Sequence, residues 1–130
     1  MALDYVEYPE AATIEITVVG HIDKDDYDAV IGPMQAFIDS HDSVRMIEVV
    51  RSFRGFDPAV LLPGIQFDIR NLARISHVAV VSDIGWFSPV VKAAGALMST
   101  ELRLFHLDEL DTARAWAMDA EAPRRAASAG

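Results

Sequence analysis

Arg51, Ser52 and Arg54 interleave with Phe53 and Phe56 in the stretch 51–56 (RSFRGF), and guanidinium groups beside aromatic rings are suited to holding an anion against apolar walls. Ser82, Asp83 and Trp86 follow the apolar run that begins at His77, so Arg51, Ser52, Arg54, Asp83 and Trp86 are candidates to line one pocket. The competing reading is a plug: Phe53, Phe56 and Trp86 seal the end of the core while the arginines pair with Asp57 and Asp83. His21 and His106 each follow a strand-like segment and so fall at the carboxyl edge, where open α/β sheets usually bind ligands. With His41 and His77 they form no i, i+4 pair, and no metal site is expected.

Other chemistries fail on spacing. Asp23, Asp25, Asp26 and Asp28 suggest a calcium loop, but counting from Asp23 the sixth and twelfth positions are Asp28 and Met34, where glycine and glutamate are required. The acids read instead as a helix cap and as complements to the helix dipole. Ser82 and Ser88 lie in no G-x-S-x-G elbow, and Gly20 and Gly85 stand alone, so neither a hydrolase nor a glycine-rich phosphate cradle is indicated and no cofactor is expected.

The elements that would position these residues alternate. Residues 3–8 and 13–20 read as an edge hairpin, with Ile14, Ile16 and Val18 on one face and Glu15 and Thr17 on a face that is wet or covered by a polar helix. Asp23 caps a helix to about residue 40, kinked at Pro33, whose buried stripe includes Tyr27, Val30, Met34 and Phe37. The segment 44–50 is a core strand and 51–56 the loop leaving it. Asp57 and Pro58 start a second helix, bent at Pro63-Gly64 and continuing through Ile65, Ile69 and Leu72 to about Ile75. The run from His77, with four consecutive apolar residues, is a strand covered on both faces. Ser88-Pro89 opens a helix with Val90, Val91, Ala94, Leu97 and Met98 on its apolar stripe, 101–106 is the last strand, and Asp108 caps a last helix through Trp116.

Residues 1–119 thus form a single α/β domain with a mostly parallel sheet of about five strands, an N-terminal antiparallel edge hairpin and about four helices. Residues 120–130 form a small, polar and aperiodic tail expected to be disordered. Among 130 residues, 20 acidic against 11 basic side chains give a net charge of −9, which repels a phosphate backbone and excludes nucleic acid as an expected partner. There are no cysteines, no basic leader and no apolar run near the ~20 residues of a membrane span, so a cytoplasmic protein is expected.

The order of hairpin, helix-strand repeats and last helix, with 20–27 (GHIDKDDY) at the first helix entry, the 78–83 strand leading to Trp86, and the 103–105 strand leading to Trp116, resembles the SpoIIAA-like proteins over roughly residues 3–118. These share a β-α superhelical fold with STAS domains and with the lipid-binding CRAL-TRIO (SEC14) domains. The resemblance implies a non-enzymatic binding or protein-interaction module. Anti-anti-sigma factors of the STAS group carry a phosphorylated serine in an Asp-Ser-Ser-Gly type turn after the strand matching 44–50. Here Asp57 and Pro58 stand at that place and Ser52 falls several residues early, so the fold carries over and the phosphosite does not.

Two further readings stand beside this one: a binder of a small apolar ligand or lipid in a groove between the bent second helix and the helix after Trp86, and an enzyme using the carboxyl-edge residues. Val60, Leu61, Leu62 and Phe67 cannot all face one sheet, which points to a homodimer through that helix.

Overall fold

The computed structural model describes residues 2–85 and 100–119. Five strands, β1 (Leu3–Tyr8), β2 (Thr13–Ile22), β3 (Val44–Phe56), β4 (Ile75–Ser82) and β5 (Glu101–Phe105), form one sheet in the order β1-β2-β3-β4-β5. β1 and β2 pair antiparallel as the expected edge hairpin, and every later pairing is parallel. The connection from β1 to β2 is a single 3-10 turn, Pro9–Ala11, followed by Ala12 in the left-handed region. It is too short for anything but an antiparallel return.

Three α-helices occur among the described residues: α1 (Lys24–Asp39), α2 (Leu61–Asn71) and α3 (Leu110–Met118). The further helix expected after Ser88 lies outside the described residues, as do Trp86 and the tail. α1 opens on a reciprocal cap: the Asp26 N–H donates to the Asp23 carboxylate at 2.8 Å, and the Asp23 N–H donates to that of Asp26 at 3.2 Å. The helix runs through Pro33 without a break and buries Val30, Met34, Phe37 and Ile38.

Strand alternation divides the core into two. On one face Ile14, Val44, Met46, Val78 and Val80 pack under α1 and Phe67 of α2. On the other, Ile47, Val49, Ala79, Val81 and Phe105 pack under Ala113 and Ala117 of α3, small residues that let the helix sit close. The polar face of β2 is covered as its sequence suggested. Glu15 is buried there and accepts two hydrogen bonds from Arg114 of α3, at 2.7 and 2.8 Å.

Three expectations need correction. Residues 51–56 are not a loop but the continuation of β3: β2 persists to Ile22 and pairs Val19 with Ser52, Gly20 with Phe53 and Ile22 with Phe56, across two register shifts. Glycines at positive φ, Gly20 (83°) and Gly55 (104°), make that irregular pairing possible. The second helix is not bent at Pro63-Gly64, because proline falls in the first turn of α2, where its missing N–H has no intrahelical partner to lose. Finally, the four residues that cannot all face one sheet divide: Leu61 and Leu62 are exposed, with Ile65, Ile69 and Leu72, but Val60 and Phe67, expected in the dimer contact, face the core.

That inversion of α2 has a polar cause. Asn71 is buried, and its side chain exchanges two hydrogen bonds of 2.9 Å with Gln35 of α1 while also donating to the Phe67 carbonyl. A buried amide so satisfied holds the helix in one rotation, with Phe67 inward and the isoleucines outward.

Candidate functional site

The 44–50 segment alternates so that Val44, Met46 and Glu48 share the face under α1 and α2, and Glu48 is thereby an acid in an apolar layer. Its register neighbours are Ile16 on β2 and Val80 on β4. Above it α1 and α2 do not close on the sheet but leave a cavity of about 290 Å³. Ile16, Met46 and Glu48 form its floor, Tyr27 and Met34 come from α1, and Phe67 and Asp68 from α2. A second hollow of about 270 Å³ shares Leu3, Ile22, Tyr27, Gly64 and Asp68 with the first and extends it past Phe56, Leu61 and Ile65. The two make one groove along the α1–α2 boundary. Gly64 lines both hollows, and a β-carbon there would meet no atom within 4 Å.

The described lining of the groove carries acids and no base, although the Arg70 charge, from α2, partly offsets the rise of the Tyr27 phenol. Burial raises the Glu48 carboxyl from its ordinary 4.5 to about 7, and the neighbouring negative charge of Asp68 adds to the shift. The part of Glu48 that stays accessible lines the cavity. Asp68 is pushed up by burial of its carboxyl, although the residue as a whole is exposed at the groove mouth, and burial with the Asp68 charge pushes up the Tyr27 phenol. Among the described residues neither hollow is lined by a lysine, arginine or histidine.

The residues singled out from the sequence lie elsewhere, at the carboxyl edge, in two groups. Asp83 and His106 meet: the His106 Nδ1 is 3.2 Å from an Asp83 carboxylate oxygen, which also accepts the Leu107 N–H at 3.0 Å. Both side chains are exposed. Across the sheet, Arg54 lies over Gly20, with its guanidinium 3.5 Å from where a β-carbon would stand, and His21 lies beside Gly55. Arg51 and Ser52 are exposed on the extended part of β3, and Phe53 and Phe56 place their rings 6.2 Å apart. Asp57 accepts the Ala59 N–H, so neither acid proposed to pair with the arginines is given over to them. Trp86 lies outside the described residues. None of the six candidates among the described residues lines the groove.

An apolar groove lies between α1 and α2, whereas the one expected between the second helix and the helix after Trp86 falls outside the described residues. Sequence reasoning missed Glu48, Asp68 and Tyr27 as its polar residues. A signal for Glu48 was present: it is the one acid of the 44–50 strand, and it falls in phase with Val44 and Met46. Asp68 carried none, because an acid on a helix is ordinary until its face is known.

Comparison with known proteins places this architecture. The SpoIIAA-like family model matches residues 13–118. An uncharacterised protein of the DUF3478 family from Shewanella loihica PV-4, whose crystal structure has a SpoIIAA-like fold, superposes with a TM-score of 0.72. The superposition covers 89% of this chain and 92% of that one at 11% identity. A likeness at that identity is one of fold. A search of curated proteins gave no match.

Proposed function

This chain belongs to the SpoIIAA-like family, and from that premise we propose that it is a non-enzymatic cytoplasmic binding module whose ligand is a small molecule of mainly apolar surface. The observation that carries the reading is the groove between α1 and α2. A folded interior is normally close-packed, and a hollow of about 290 Å³ floored by Ile16 and Met46 is space the core leaves unfilled. Its volume lies at the lower end of small-molecule sites, and apolar walls with a few polar groups are their usual make-up.

Gly64 offers the test, since a side chain added there enters the groove without meeting backbone. Gly64→Phe is expected to lower affinity for a neutral solvatochromic dye such as Nile red at least tenfold. It should leave the melting temperature unchanged or higher, because glycine inside a helix costs about 1 kcal/mol relative to alanine. Unchanged dye affinity in a folded Gly64→Phe protein would remove the groove from consideration.

A second reading, association with a protein partner, is favoured by the outer face of α2. Leu61, Ile65, Ile69 and Leu72 recur at helical spacing there, with Leu62 beside them, and Ile69 is 73% exposed. The partner proposed is a second copy of the chain, meeting through that helix. Light scattering is expected to give about twice the 14.3 kDa of one chain, and Ile69→Glu to return 14.3 kDa. A wild-type mass already at the single-chain value would retire the dimer.

A further inference from the structure

Among the described residues the groove lining holds two carboxyl groups and no basic side chain, which limits the head groups it can accept. Glu48 rises from the middle of the sheet between Ile16 and Val80. Among the described residues, no side-chain hydrogen bond or ion pair reaches its carboxyl or that of Asp68. The Gln35 and Asn71 amides of the same α1–α2 boundary are, by contrast, joined to each other. An unpartnered carboxyl in apolar surroundings carries a desolvation cost that an incoming donor or positive charge relieves. An incoming anion would add to that cost, because no described residue of the lining neutralises it.

Resting on the ligand-binding reading above, we infer that the groove takes a small organic amine, its protonated nitrogen held by Glu48 and Asp68 and its aliphatic or aromatic body on the apolar floor. Charge complementarity sets the head group: two acids from different elements converge on one hollow, and Tyr27, which lines both hollows with Asp68, brings an aromatic ring to the same place. Volume sets the body. At about 30 Å³ for each heavy atom, the share a small molecule takes in a liquid, 290 Å³ accommodates roughly ten of them. The first hollow alone is filled by such a body, and a fatty-acid carboxylate has the wrong sign for the two acids.

Three probes of one size separate the possibilities: octylamine, octanol and octanoate, titrated against the full chain at pH 8 by displacement of Nile red. Octylamine is expected to bind at least tenfold more tightly than octanol, and octanoate at least tenfold more weakly. Glu48→Gln should bring octylamine and octanol within about threefold of each other. Asp68→Asn, at an exposed position where folding is not at stake, should narrow the same gap in part. Octanol binding with no preference for the amine, octanoate binding as well as octanol, or an amine preference untouched in both variants would overturn the inference and leave the apolar groove standing. Failure of all three probes to displace the dye would overturn the groove itself and this inference with it.

Discussion

Glu48→Leu is expected to stabilise the protein at pH 8 by about 2 kcal/mol and to change little at pH 4. The unfolded chain releases the Glu48 proton near 4.5 and the folded chain near 7, so between those values the folded state binds more protons and each rise in pH weakens it. Above about pH 7 both states are ionised and the loss is complete. A shift of that size corresponds to roughly 3 kcal/mol, and water in the groove reduces it to the smaller figure. Leucine carries no charge to desolvate, and the hollow above position 48 has room for it. The readout is the difference in unfolding free energy between wild type and variant, from urea titrations at pH 4, 6 and 8. That difference isolates Glu48 from Asp68, whose raised carboxyl acts in the same direction in both proteins. A difference that does not grow between pH 4 and 8 would show that Glu48 ionises in the folded chain as readily as in the unfolded one. The prediction also bears on function, since a carboxyl that weakens the fold at neutral pH is retained here against the stability optimum.

The opposite face gives the second large effect. Arg114→Met should cost about 3 kcal/mol, because it leaves the Glu15 side chain, only 6% exposed, without the two hydrogen bonds and the positive charge that compensate its burial. The figure sits at the lower end of the range for broken buried pairs because the Arg114 side chain is itself 35% exposed and part of its charge is already in water. Replacing both partners, Glu15→Leu with Arg114→Met, should recover stability to within about 1 kcal/mol of wild type. Position 15 lies in register with Ile47, and an apolar pair can extend that layer. Denaturant unfolding of the two singles and the double at pH 7 gives the coupling directly. If Arg114→Met alone costs under about 0.5 kcal/mol, the pair is a surface ion pair in energetic terms and α3 is held by its apolar contacts, Ala113, Ala117 and Trp116 among them.

Both effects turn on acids in strands, and the two acids show how far a sequence can be read. Glu15 alternates with Ile14 and Ile16, so its membership of the second face followed from period 2, and a polar helical cover was foreseeable; which residue would supply the cover was not. Arg114 lies 99 positions away, and nothing local marks it as the partner. Glu48 is harder. In a strand buried on both faces every position reads as core, so alternation no longer separates inside from outside, and only the failure of α1 and α2 to meet above Glu48 turns it into the floor of a groove.

The sequence by itself determined the class of the fold: strand runs separated by capped helices require a parallel sheet with crossovers, and the short 9–12 connection requires an antiparallel edge. It also determined the cap at Asp23, the inward stripe of α1 and the separate face on which Glu15 lies, because each rests on local cap chemistry or on periodicities of two or 3.6 residues within one element. Tertiary structure alone decided the rotation of α2. Its apolar residues occupy more than one face, and Ile65, Ile69 and Leu72 would make as good a core stripe as Val60 and Phe67. The choice is made by Asn71, which finds Gln35 only when α1 already lies beside it, and the same rotation carries Asp68 to the mouth of the groove above Glu48. Local pattern sets which faces can be buried; the buried amide pair, formed between residues 36 positions apart, selects which one is.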